Sequence, residues 1–352
     1  MDNGGIIEMK IIQILPELNV GGVEQHVLWL SNELAGKGHQ VLVVSNGGGG
    51  MQSRFSETVE FHPLPVHRKE PLTALYCAIS LAGIVRKEKW DIIHAHSRVP
   101  FWVGLWTSML TGRPFVATAH SCYSINKALY PLAKADGVIT ISETVKKHII
   151  SYLPPSVRVI YNGLPDIDLS WKPVNKGRNR FLFVGRLSRK KGLQYFLDAM
   201  SGFRDHEWHL DVVGEGPFRT ELEKKVSSYG LEQRVVFHGF QAETDKWMKE
   251  CSCFIFPSLE EGMGLTLMQA IKMGVPILAS DIPAVKELSL DGQNLITPGS
   301  SEDWMRAIAE FFDKGISRQK FDVAKISSLS SMADAVEEYY NEIILRKADR
   351  FE

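Results

Sequence analysis

Cysteine is scarce in this sequence: Cys77, Cys122, Cys251 and Cys253 are the only four in 352 residues, which excludes a disulfide framework. Cys251 and Cys253 lie one residue apart rather than at the spacing of zinc or redox pairs, and both read as small buried thiols beside an apolar strand. Excess charge of one sign is missing as well. Lys and Arg total 40 against 41 Asp and Glu, a net charge of −1, which argues against a dedicated nucleic-acid binder. The balance is uneven: residues 1–165 hold 15 basic and 12 acidic groups, so a weakly positive first half could face an anionic partner. No hydrophobic run is long enough to span a bilayer; the uncharged run Val99 to Gly112 contains Pro100 and Gly104. The start of the chain, with Asp2, Glu8 and the short apolar run Ile11–Leu15, lacks the pattern of a secretory signal, so the expected location is cytoplasmic. The dinucleotide fingerprint is incomplete, because Gly214-Glu215-Gly216-Pro217 has no third glycine. A Walker loop is absent, and the one Asp-x-Asp, at Asp166-Ile167-Asp168, falls in a stretch that reads as a linker.

What is present is an alternation of short β-rich runs with amphipathic helical segments, the pattern of parallel α/β sheets. Strands are expected at Lys10–Leu15, Val41–Ser45, Asp91–Ala95, Pro114–Ala119, Gly137–Ile141 and Val157–Tyr161. A helix after Gly21-Gly22 carries Val23, Val27, Leu30 and Leu34 on one stripe, and Gly47–Gly50 reads as a loop. Asn162 to Arg180, rich in Pro, Gly, Asn and charge, reads as an interdomain linker. A second series follows at Phe181–Gly185, His209–Gly214, Val235–Gly239, Cys253–Pro257 and Val275–Ser280. At about 150 residues per domain, two Rossmann-like domains facing across a cleft are expected: residues 1–165, residues 166–330, and a C-terminal helix at 331–352 returning to the first.

The chemistry-bearing residues sit where these strands end, which is where parallel sheets bind ligands. Gly185 through Gly192 places Arg186 just past one strand and Lys191 at the mouth of the next helix. A guanidinium and an ammonium at that spacing suit a diphosphate; a solvated basic loop fits the same residues. Gly262-Met263-Gly264 leads a strand into a helix, where small residues admit a ligand to free backbone N–H groups, or simply make a turn. Glu261 ahead of it could accept from sugar hydroxyls. His120 follows the strand that ends Ala117-Thr118-Ala119, and His94 and His96 lie two apart at another strand end. As metal ligands the latter pair would need a third partner that the sequence does not advertise; no metal and no cofactor are expected.

Taken together, these stretches resemble the retaining sugar-nucleotide glycosyltransferases of family 4, which have the GT-B fold. The resemblance rests on NVGGVEQHV, DIIHAHS, VATAHS, VITISE, VIYNG, FVGRLSRKKG, VVGEGP, VVFHGF and PSLEEGMGLTLMQAIKMGVPILAS, found in the family's order. It implies that Arg186 and Lys191 grip the donor diphosphate from beside Gly185, and that Glu261 contacts the donor sugar. Gly262, Met263, Gly264 and Leu265 would offer backbone amides near sugar and phosphate, and His120 would lie beside the transferred sugar. Gly21 and Gly22 would close over the donor, while Gly214, Glu215, Gly216, His238, Gly239 and Phe240 would flank the nucleobase. His94 and His96 are placed on the acceptor side. The family's second glutamate is replaced by Gln269, which keeps hydrogen bonds to the ribose but loses their charge assistance.

The implied function is transfer of a sugar from a nucleotide-sugar donor to a glycan or lipid-linked glycan, in lipopolysaccharide core or other cell-surface polysaccharide assembly, with no nucleic acid involved. Leu72–Trp90 and the aromatic Phe101–Trp106 could touch the inner membrane surface or pack on the sheet. A same-fold epimerase would convert the donor without an acceptor, and a phosphorylase would need inorganic phosphate. A weakly active nucleotide-binding protein would transfer nothing, and an oxidoreductase would bind NADH tightly.

Overall fold

The computed structural model describes residues 8–19, 21–47, 49–166, 179–290, 292, 295–315 and 320–349. The chain divides into two compact units, one of Met1–Gly163 with Ser327–Glu352 and the other of Leu164–Ile326. Residues 167–178 of the expected linker, with Ile167 and Asp168, lie outside the described residues, as does Gly48 of the glycine run.

The first unit is a parallel sheet of β1 (Lys10–Ile14), β2 (Gln40–Ser45), β3 (Val59–Pro63), β4 (Ile92–His96), β5 (Phe115–Ala119), β6 (Gly137–Thr140) and β7 (Val157–Val159), in the order β3-β2-β1-β4-β5-β6-β7. Its main connecting helices are α1 (Gly22–Gly36), α2 (Pro71–Glu88) and α3 (Arg98–Thr111), with shorter α4 (Tyr130–Ala133) and α5 (Glu143–His148). β1 and β4 are buried on both faces, where their isoleucines are interspersed with the buried polar residues Gln13, His94 and His96. Strand β3 was not expected from the sequence. It is an edge strand of half-buried and exposed residues ending in Pro63, so it has neither an apolar run nor an alternation to announce it. The Val99–Gly112 stretch is helix α3: Pro100 sits in its first turn, where the missing N–H costs nothing.

The last helix, α12 (Leu329–Ala348), belongs to the first unit. Met332, Val336, Tyr339, Tyr340 and Ile343 are buried in the same core as Ile11, Val27, Leu30 and Val116. Gly137 of β6 makes room for it, since a Cβ there would lie 2.7 Å from both Ile343 Cδ1 and Tyr339 Oη. Ion pairs fasten its length: Glu337 with Lys37 at 3.2 Å, Glu342 with Arg158 at 2.7 Å, and Lys347 with Asp136 at 2.7 Å.

The second unit is a parallel sheet of five strands. After the short β8 (Gly163–Leu164) come β9 (Asn179–Val184), β10 (Trp208–Val213), β11 (Val235–Gly239), β12 (Cys253–Phe256) and β13 (Ile277–Ala279), in the order β11-β10-β9-β12-β13. The helices are α6 (Leu193–Met200), α7 (Arg219–Ser228), α8 (Asp245–Glu250), α9 (Leu265–Met273), α10 (Pro283–Leu288) and α11 (Ser301–Lys314). Phe181, Phe196, Leu210, Ile255 and Trp304 centre its core. Asn179 and Arg180, expected in the linker, already pair with Trp208 and His209 in the sheet.

Both sheets have the doubly wound pattern. The chain steps outward one way from the first strand of each unit and then resumes on that strand's other side. The reversal falls between β1 and β4 in the first unit and between β9 and β12 in the second. Loops leaving the carboxyl ends of those strands diverge there and open a crevice.

Candidate functional site

In the second unit the two strands at the reversal supply the predicted donor residues. Gly185 and Arg186 follow β9 directly, while Glu261 to Gly264 follow β12. Arg186 is exposed and makes no hydrogen bond or ion pair among the described residues. Lys191 is different. Its ammonium is paired with the Glu261 carboxylate, which also accepts from Ser258 Oγ at 2.8 Å, and it lies 5.9 Å from the Phe256 ring centroid. The pairing is set by backbone: Leu259 N donates to Lys190 O at 2.8 Å. Gly192, at φ +70°, brings the turn against the Pro257 carbonyl so closely that no Cβ would fit. Gly264 has φ +85° and precedes α9, whose first N–H groups therefore lie beside the same loop. Met263 and Gly262 are buried, and Leu265 is half-buried.

Gly214 and Gly216 have a use that the motif alone did not indicate. They let the loop after β10 press against the loop after β9: Gly185 N donates to Val213 O at 3.0 Å and Leu187 N to Glu215 O at 2.9 Å. Gly214 N in turn donates to Gly239 O at 2.8 Å, so three strand ends are stitched together beneath Arg186. At Gly214 (φ +137°) a Cβ would strike the Gly185 carbonyl, with its carbon at 2.9 Å. Gly214→Ala combines that contact with a strained backbone and is expected to cost about 2–3 kcal/mol. A drop in melting temperature together with weaker nucleotide binding, because Arg186 shifts with Gly185, is the outcome that checks it.

The remaining donor-side residues are partly committed inside the unit. Glu215 is ion-paired with Arg219. His238 Nε2 lies 2.6 Å from Asp211 Oδ1, and its ring is 4.1 Å from that of Trp247. Asp211 is buried. Desolvation pushes its carboxyl up, yet hydrogen bonds from Arg180 (2.6 Å) and His238 outweigh this and hold it below the usual range. Phe240 is exposed. Gln269 accepts from Thr244 Oγ1 at 2.8 Å through Oε1, so its amide nitrogen is not the group that Thr244 engages. A glutamate there would offer acceptors only; this residue offers a donor.

In the first unit the β1/β4 reversal holds a histidine cluster. Gly21 caps α1 with extended backbone (φ −173°), Gly22 opens the helix, and the next turn carries His26. His26, His94, His96 and His120 are all buried, His120 being the most exposed at 9%. The sequence had suggested His94 and His96 as acceptor-side groups. Both rings are fully enclosed and bonded within the unit, so they face neighbouring side chains rather than solvent.

The hydrogen bonds run head to tail. Gln13 Nε2 donates to Tyr340 Oη at 3.1 Å, and Gln13 Oε1 faces His96 Nε2 at 2.7 Å. An amide oxygen only accepts, so the His96 proton is on Nε2 and its Nδ1 accepts from His120 Nε2 at 2.8 Å. At the other end Tyr340 donates to His94 Nδ1 at 2.5 Å, and His94 Nε2 donates to Thr118 Oγ1 at 2.6 Å. Beside this chain, His26 Nδ1 donates to Asn162 Oδ1 at 2.8 Å. Asn162, read as the first linker residue, is thus a buried part of the cluster. Burial lowers the pKa of all four rings, His26 to about 4, so each is a neutral imidazole at pH 7.

Sequence reasoning did not single out His26, Gln13, Tyr340 or Asn162. Gln13 carried a signal: an amide inside the apolar run of a buried strand needs partners for both its ends. Tyr340 carried none, because it lies 246 residues from His94.

Comparisons with known proteins fit this architecture. Residues 20–166 match the family described as Glycosyltransferase Family 4, and residues 168–326 match Glycosyl transferases group 1. An uncharacterized glycosyltransferase of Methanocaldococcus jannaschii is 28% identical over 326 residues, covering 80% of this chain and 82% of that protein. The UDP-Gal:alpha-D-GlcNAc-diphosphoundecaprenol alpha-1,3-galactosyltransferase of Escherichia coli is 26% identical, covering 78% and 80%. Anabaena HepE, solved in complex with UDP-glucose, shares the fold with a TM-score of 0.74 at 21% identity over 98% of this chain and 99% of its own. With the two adjacent matches together spanning most of its length, the chain belongs to the family 4 glycosyltransferases.

Proposed function

We propose that this glycosyltransferase moves a sugar from a nucleoside-diphosphate sugar to a glycan or lipid-linked glycan acceptor, with retention of anomeric configuration and without a divalent metal. The observation that carries the reading is the reversal point of the second sheet, where an unpartnered Arg186, the Lys191–Glu261 pair and the start of α9 are brought together by β9 and β12. A leaving diphosphate develops negative charge, and two cations with a helix N-terminus oppose it without an added ion. In the retaining step the acceptor oxygen bonds to the anomeric carbon as the bond to the diphosphate oxygen breaks, and the acceptor's proton passes to that phosphate. His120 borders the transferred sugar in this reading.

The named relatives support the substrate class: one transfers galactose to a diphosphoundecaprenol-linked sugar, and another was solved with UDP-glucose. A place in the assembly of a surface polysaccharide, lipopolysaccharide core included, is the pathway we propose on the strength of that kinship. Among the described residues no helix is long and apolar enough to cross a membrane. Helix α2 nevertheless exposes Leu72, Leu75, Tyr76 and Ile79 opposite its buried Ala74, Cys77, Ala78 and Leu81, with Arg86 and Lys87 in its last turn. That second apolar stripe supports contact with a membrane face that holds a lipid-linked acceptor.

The test is a melting experiment with EDTA present, using UDP, GDP, ADP and their sugars. A ligand at 100 times its Kd adds about 2.7 kcal/mol, a shift of several degrees. Stabilisation by one base family, followed by release of that diphosphate only when acceptor is added, supports transfer. Conversion of donor without acceptor would make the protein an epimerase, and binding without any turnover a nucleotide-binding protein.

A further inference from the structure

We infer that His26, His96 and His120 form a binding site for a zinc-type transition-metal ion, and that an ion held there blocks sugar transfer by taking the ring of His120. Three observations combine. Each ring offers one nitrogen, the three lying within 4.8 Å of one another. Zinc bonds of about 2.0–2.1 Å keep two ligand nitrogens no more than about 4 Å apart, so binding draws the three rings together. His96 finds its partners across the fold, His26 on α1 and His120 just past β5, whereas both nitrogens of His94 are spent on Tyr340 and Thr118.

Two of the three rings, His26 and His96, already have the tautomer a metal requires. His26 has its proton on Nδ1, fixed by the Asn162 carbonyl oxygen, so Nε2 carries a lone pair. That Nε2 is buried and has no hydrogen-bond partner among the described residues, the kind of orphaned atom that calls for an occupant. His96 has its proton on Nε2, fixed by the Gln13 carbonyl oxygen, and its lone pair is on Nδ1. Metal-bound histidines are oriented by such outward N–H groups on carbonyl oxygens. His120 Nε2 now donates to His96 Nδ1; when an ion enters, that bond is lost and the His120 proton moves to its own Nδ1.

The donor set decides the ion. Three neutral imidazoles suit zinc, copper or nickel and give magnesium or calcium nothing to prefer. Burial keeps all three rings neutral, so none has to give up a net proton near neutral pH. The binding claim stands on geometry alone, whereas the blocking claim rests on the proposed place of His120 beside the sugar.

The experiment uses the tag-free, metal-stripped full chain. Titration with CoCl2 is expected to give strong visible absorption that saturates at one equivalent and is displaced by one equivalent of ZnCl2 but not by MgCl2. His26→Ala should weaken zinc at least about 100-fold, a ligand's loss exceeding that of an outer-shell partner. Should that variant fail to fold, X-ray absorption of the zinc-loaded wild type decides, with three imidazole nitrogens expected. Only the weak spectrum of hydrated cobalt, equal zinc affinity in the folded variant, or fewer than three imidazoles would overturn the site. For blocking, zinc should abolish transfer in the wild type at the same midpoint as binding, while His26→Ala keeps most of its own metal-free rate. Zinc bound with transfer undiminished would overturn the blocking claim and leave the site. Absence of transfer from the metal-free wild type would instead count against the functional reading, and the cobalt result would still decide the site.

Discussion

Arg186→Ala is expected to lower kcat/KM for sugar transfer by roughly 10²–10³-fold while leaving the melting temperature of the free protein almost unchanged. The rate effect follows from removing a cation where the leaving diphosphate gains charge, comparable to losing an oxyanion donor at about 3 kcal/mol. The absence of a stability effect follows from the structure: Arg186 is exposed and bonded to nothing among the described residues, so its removal strands no partner. Lys191→Ala makes the contrast. It removes the ion-pair partner that the half-buried Glu261 carboxylate has in Lys191, so both rate and melting temperature should fall. Steady-state kinetics and melting curves on both variants check the pair. Normal turnover by Arg186→Ala would remove the diphosphate site from the β9 loop.

Acid is expected to destabilise the first unit well before it reaches the carboxylates. His26 has a pKa near 4 in the folded chain, against an ordinary 6.5. Below pH 6.5 the unfolded chain therefore takes up a proton that the folded chain refuses, and stability falls with pH until about 4. At 1.36 kcal/mol per unit, His26 alone accounts for about 3 kcal/mol across that window. His94, His96 and His120 are lowered as well, and add in the same direction as a coupled group. Asp211 acts in a separate range: its lowered pKa gives the second unit stability that is present above the ordinary carboxylate range and lost only as pH falls through it. Amide hydrogen exchange of the buried face of α1, recorded with EDTA at pH 7.5, 6 and 5, should show protection falling stepwise. Protection that stayed flat across those values would mean that the rings are not held neutral by the fold. A His26→Phe chain should show a shallower dependence.

Much of the fold was legible because buried parallel strands are short apolar runs closed by glycine or by polar strand ends. KIIQI, VLVVS and CFIF announce themselves by composition, and glycines at Gly192, Gly214 and Gly264 mark tight turns. VEFHP at the edge did not, since a half-exposed strand needs no apolar run. Asn162 was misplaced for a related reason: a polar, Gly- and Pro-rich surrounding reads as linker, while its side chain is buried against His26.

By itself the sequence determined the α/β class and the family, and it placed Arg186, Lys191, Glu261 and His120 at strand ends, because periodicity and local motifs are properties of neighbours in the chain. Tertiary structure alone decided which of those groups are free and which are spent: Arg186 unpartnered, Lys191 held by Glu261, Gln269 turned by Thr244. It alone joined Gln13, His26, His96, His120 and Tyr340, drawn from a strand, two helices and the ends of two more strands. A buried polar group must find a partner wherever the packed core presents one, and no spacing along the chain records which residue that will be.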